Sequence, residues 1–154
     1  MANKPQLMKL SDLPPETCDE IGRHLWEYAT GLILVTNESA DQEYTRLIGT
    51  GTFVSVDNIF GILSAQHVIK ELLRKGCSLG LTLQESPHKS TIDRRYLGIH
   101  EIAKGSDNSQ GPDLGFIVLP SSTLGTIKAT KSFHNLTLKR DLMLINAPNC
   151  DLGL

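Results

Sequence analysis

From Tyr28 to Leu119 the sequence is a succession of short β-branched and apolar runs cut by turn signals. That punctuation limits the fold more than any other feature. Tyr28 to Thr36 (YATGLILVT) reads as a strand closed by the polar stretch Asn37 to Gln42. Tyr44 to Val56 follows, with Gly49 and Gly51 expected to break a long extended segment. Asp57-Asn58 marks a turn, and Ile59 to Ser64 returns as the second arm of a hairpin. Cys77 to Leu83 and Tyr96 to Ala103 alternate more weakly, the latter with Leu97 and Ile99 on one face. Leu114 to Leu119 (LGFIVL) is a buried strand by its length and by Pro120, which stops it. Residues 121–140 carry little pattern, and Leu142 to Ala147 is a last apolar run before Pro148-Asn149.

Helical signals are sparse. Pro14 to Trp26 suits a short helix, since Pro15 tolerates a first-turn position and Glu16, Asp19 and Glu20 complement the positive end of the helix. Ala65 to Lys75 reads as one or two helical turns ended by Gly76. Six strands before residue 120 and so few helical residues argue for an all-β barrel or sandwich.

Charge excludes some partners. Residues 1–50 hold four Lys/Arg against eight Asp/Glu, and the whole chain carries −2. Arg94-Arg95 is the densest basic spot, too isolated for a nucleic-acid track, so a solvated face is expected there. No run of about 18 apolar residues occurs, so no membrane span is expected. The first residues, MANKPQLMKLSDLPPE, lack the apolar core of a signal peptide. Cys18, Cys77 and Cys150 are odd in number and far apart, which fits a reducing, cytoplasmic setting rather than a disulfide framework. His67, His88, His100 and His134 show no ligand spacing, so neither metal nor cofactor is expected.

Two segments carry candidate chemistry. Gly49-Thr50-Gly51-Thr52-Phe53-Val54 leads through the hairpin to Leu63-Ser64-Ala65-Gln66-His67-Val68. Asp113-Leu114-Gly115-Phe116 opens the buried strand after a Gly/Ser/Asn/Pro loop. Together they resemble the trypsin/chymotrypsin-like serine peptidases, whose Thr/Ser-Ala-Ala-His motif is matched by Ser64-Ala65-Gln66-His67 with Gln66 in place of Ala. The family's Asp-Leu-Ala-Leu motif is matched by Asp113-Leu114-Gly115-Phe116 with Gly115 in place of Ala. The order His then Asp also agrees. The resemblance implies His67 as general base and Asp113 as the carboxylate that orients its ring and stabilises the imidazolium, roles taken from the family's own mechanism. Val68 stands where secreted members carry a bridging cysteine, so the chain is similar to the bacterial and intracellular branch.

The resemblance extends over the N-terminal half only. It implies a trypsin-like six-stranded antiparallel first β-barrel over residues 27–130, preceded by an extension with a short helix over 1–26. Residues 131–154 would be the crossover and first strand of a second, incomplete barrel. No Gly-Asp-Ser-Gly-Gly nucleophile motif occurs in the sequence. Ser121, Ser122 and Ser132 lack its flanking glycines, and Cys150 sits in an Asn-Cys-Asp setting without a cation to activate it. The expectation is a truncated serine endopeptidase domain, inactive alone, that acts on a peptide or protein substrate when a second barrel is present. A non-catalytic, protease-like interaction module is the alternative. The exposed edge of Leu142 to Ile145 invites pairing with another copy or a partner chain; no nucleic-acid or membrane partner is expected.

Overall fold

The computed structural model describes residues 9, 12–39, 42–83, 90–103 and 112–138. The expected strand over Leu142 to Ala147, with Cys150 and His88, lies outside them. The chain opens with α1 (Pro15–Tyr28), then β1 (Ala29–Ser39), β2 (Gln42–Val56) and β3 (Ile59–Ser64). Next come α2 (Gln66–Lys70), a 3-10 turn (Glu71–Leu73), β4 (Cys77–Leu81) and β5 (Ser90–Asp93). A second 3-10 turn (Arg94–Tyr96) leads to β6 (Gly98–Ala103), β7 (Leu114–Val118), α3 (Ser121–Lys128) and the two-residue β8 (His134–Asn135).

The strands form one sheet in the order β5-β4-β1-β2-β3-β7-β6, antiparallel throughout, with β8 added parallel to β2 at Val54 and Ser55. The mostly antiparallel β architecture read from the sequence is therefore present. The strand count is higher than six, because β5 and β8 carry no pattern long enough to register. The sheet is not closed: β5 and β6 are its two ends. Those ends are nevertheless joined by residues 94–97 alone. A connection of that length reaches at most roughly 18 Å, so the sheet must curl back on itself.

The core fills that curl. Leu32, Phe53, Ile62, Leu79, Leu81 and Ile117 are fully buried and come from β1, β2, β3, β4 and β7. Ile69 of α2, Leu72 of the first 3-10 turn and Ile127 of α3 are equally buried and pack onto the same cluster. Each contributes about 1.5–3 kcal/mol by leaving water.

Gly49 and Gly51 do not break β2. The strand runs on through both, and the irregularity falls between them and β1, where Leu32 pairs with Gly49 but Ile33 pairs with Leu47. The glycines serve packing instead. A Cβ on Gly51 would lie 2.3 Å from the Ile62 side chain, and one on Gly49 would lie 2.8 Å from Val68. Their absence of side chain lets β3 and α2 close onto β2.

Candidate active site

Both candidate residues flank paired strands. β3 and β7 pair antiparallel from Gly61↔Val118 to Ser64↔Gly115. Asp113 immediately precedes β7, and His67 follows β3 by three residues, so the ladder brings them to the same end from opposite directions. The two residues are 46 positions apart in sequence and in hydrogen-bond contact in space.

The end of β3 is held before the chain turns into α2. Ser64 donates its hydroxyl to the carbonyl of Thr50 at 2.7 Å, fixing the strand end to β2. Ala65 then turns with φ −64° and ψ 139°, and its carbonyl accepts from the N–H groups of Val68 and Ile69 to start the helix. α2 has no capping side chain of its own. Asp113 takes that part: its Oδ1 accepts the His67 main-chain N–H at 3.2 Å, satisfying a donor that a helix start leaves unpaired.

The second carboxylate oxygen, Oδ2, is hydrogen-bonded to His67 Nδ1. With Asp113 ionised, that contact selects the tautomer with its proton on Nδ1 and leaves Nε2 as the basic nitrogen. The His67 side chain is 73% exposed and that of Asp113 is 33% exposed. The ring is thus tied on one side and open to solvent over most of its surface. The bond from His67 holds the Asp113 carboxyl below the ordinary carboxylate range, with the main-chain N–H groups of His67 and Gln66 adding to the effect. An imidazole oriented by an ionised carboxylate, with Nε2 open to solvent, is an arrangement that can accept a proton from a group placed at Nε2.

Packing behind the pair is tight. A Cβ on Gly115 would lie 2.7 Å from Ile69 and 3.3 Å from the His100 carbonyl, so glycine here lets α2 sit directly on β7. Gln66, at the position where the resembled family has alanine, is 3% exposed, and its Nε2 has no hydrogen-bond partner among the described residues. Nothing in the sequence pattern signalled this buried amide.

The other sequence candidates lie elsewhere. Ser121 and Ser122 open α3, beyond the Val118 end of the β3/β7 ladder, whereas His67 lies beyond the Ser64 end. Ser132 donates its N–H to the Glu27 carbonyl at the end of α1. His100 is exposed on β6, and His134 on β8 meets the Tyr28 ring edge-on with centroids 6.0 Å apart. Among the described residues no three His, Cys, Asp or Glu side chains are grouped to hold a metal ion, and no helix is long and apolar enough to cross a membrane. Cys77 is a buried thiol, and that burial pushes its pKa up. Against protein-family models, curated proteins and solved structures alike, the chain finds no match, so the pair rests on its own geometry and on the motifs around it.

Proposed function

We propose that this chain is the first-barrel half of a trypsin-like serine endopeptidase, with His67 as general base and Asp113 as its orienting carboxylate. The observation that carries the reading is the Asp113 Oδ2 contact to His67 Nδ1, made at one end of the β3/β7 ladder with the rest of the ring exposed. The curled antiparallel sheet is compatible with a first barrel whose ends β5 and β6 approach without pairing. Serine chemistry needs a hydroxyl at His67 Nε2 and donors for an oxyanion. Residues 1–154 contain no Gly-Asp-Ser-Gly-Gly segment to supply them, so these groups must come from other polypeptide.

One observation favours a non-catalytic module as the second reading. Asp113 caps α2 through the His67 main chain, a structural task that would preserve the carboxylate without any catalysis.

The two readings separate in one experiment. The protein is expressed from its native gene with all sequence that follows codon 154, then treated with a fluorophosphonate that labels activated serines. Labelling of a species containing residues 1–154, lowered roughly a thousandfold or more by His67→Ala, supports the peptidase. Absence of any labelled species with these residues, at full expression, overturns it in favour of the interaction module.

A further inference from the structure

A second ladder end gathers a different set of groups. β4 and β5 pair antiparallel from Ser78↔Asp93 to Leu81↔Ser90. Residues just before β4 and just after β5 therefore meet, and the sequence places Arg74 and Lys75 before the one and Arg94 and Arg95 after the other. Asn37 of β1 joins them, because Thr36 pairs with Cys77. Between these side chains lies a recess of about 530 Å³, within the size range that holds small organic ligands. What reads in sequence as an isolated Arg-Arg dipeptide is one wall of a four-cation recess.

Charge pairing there is incomplete. Arg95 forks onto Asp93, with Nε at 3.1 Å and NH2 at 2.8 Å from Oδ2. Arg74 reaches Glu71 at 3.0 Å, and Glu71 also takes Arg46 at 2.7 Å. Among the described residues no carboxylate pairs with Lys75 or Arg94. Arg94 is half-buried, yet its guanidinium donates only to neutral carbonyls, Nε to Leu72 at 2.8 Å and NH1 to Leu97 at 3.4 Å. Those carbonyls fix the orientation of the group without neutralising it. A partly desolvated cation in that state attracts an anion strongly.

We propose that this recess binds the phosphate group of a small organic phosphate, with Arg94 and Lys75 carrying the recognition. Two uncompensated positive charges match a dianion. The planar Arg94 fork, held in place by Leu72 and Leu97, suits two phosphate oxygens, and Lys75 adds a point charge. Ser78 and Asn37 line the same recess, and their side chains carry a hydroxyl and an amide able to make neutral hydrogen bonds. Its volume leaves room beyond the phosphate for the organic part. Four cations at one spot, on a chain of net charge −2, suit a single phosphate and not a polyanion.

The test is a nitrogen-15 NMR titration of the full 154-residue chain at constant ionic strength. The probes are inorganic phosphate, ribose 5-phosphate and, as a dicarboxylate comparison, succinate. The expected result is saturable shifts confined to the amides of 74–78 and 93–95, with ribose 5-phosphate binding at least threefold tighter than inorganic phosphate and succinate weakest. Arg94→Gln should weaken ribose 5-phosphate at least tenfold, but it also removes two bonds to the backbone. Lys75→Gln, at an exposed side chain with no hydrogen bond or ion pair among the described residues, should weaken it about fivefold without touching the fold. Unchanged affinity in Lys75→Gln, or shifts spread evenly to Arg23 and Lys128, overturns the site. Succinate binding as tightly as ribose 5-phosphate overturns the phosphate assignment, and equal affinity for the two phosphates overturns the organic ligand.

Discussion

Helix α2 has five residues and buries three of them, Gln66, Val68 and Ile69, whereas α1 has fourteen and buries none. By intrinsic propensity the longer helix should be the sturdier, since a single turn hardly repays its own nucleation. The structure reverses that order. α2 is wedged against Gly49 of β2 and Gly115 of β7 and is capped by Asp113, the residue just before β7. α1 keeps Ile21, Leu25 and Trp26 exposed. It is fastened chiefly near its C-terminal end, where buried Lys131 donates to the Trp26 carbonyl at 2.6 Å and lies 3.4 Å from the centre of the Trp26 ring. Tertiary contact, and not helix length, decides which helix can position a side chain. His67 stands on the one that can.

The sharpest way to break this comparison is a matched pair of truncations. Ile69→Ala in α2 is expected to cost about 2–5 kcal/mol, because a fully buried side chain leaves a cavity. Leu25→Ala in α1, where the side chain is 65% exposed, should cost under about 0.5 kcal/mol. Urea unfolding of both variants reads the difference, and similar midpoints would refute the ranking.

Gly49→Ala should act next most strongly, at about 1–3 kcal/mol, since its Cβ would lie 2.8 Å from Val68 and α2 would have to move. It should also shift the ring nitrogen-15 signal of His67, although the mutated residue touches neither His67 nor Asp113. A destabilised variant with that signal unmoved would mean that α2 does not transmit the strain.

Acid titration isolates the pair itself. The folded-state pKa of Asp113 lies below its unfolded value, so its contribution to stability is present above about pH 4 and is lost as pH falls through the folded pKa. Asp113→Asn should flatten that part of the pH–stability curve while leaving the region above pH 6 nearly level. An unaltered acid limb would show that the carboxylate has no stabilising role.

The smallest expected effect is a gain. Gln66→Met keeps roughly the side-chain volume and removes the buried amide whose Nε2 has no partner among the described residues, so stability should rise by about 1 kcal/mol. A thermal midpoint below that of the parent would mean that Gln66 is satisfied in solution.

The parts of the fold that were legible in sequence are those with long local signals. β1, the β2/β3 hairpin and β7 follow from apolar runs bounded by Asn37, Asp57-Asn58 and Pro120, and His67 and Asp113 follow from the motifs at the ends of β3 and β7. β5 was hidden because STID is too short to show a period. α3 was hidden because SSTLGTIK offers poor helix formers, and only Ile127 buries fully to anchor it. The purpose of Gly49, Gly51 and Gly115 was hidden for a different reason. Each is required by a neighbour remote in sequence, so no local pattern announces it.

The two bonds from Asp113 have a kinetic consequence. One carboxylate grips one residue twice, at the main-chain N–H and at the ring. If thermal motion opens the ring contact, the main-chain contact keeps the partners tethered, and the ring meets the carboxylate again at the high effective concentration of an intramolecular chelate. The imidazole therefore returns to its hydrogen-bonded orientation by a single side-chain rotation, without any search by the chain that carries it.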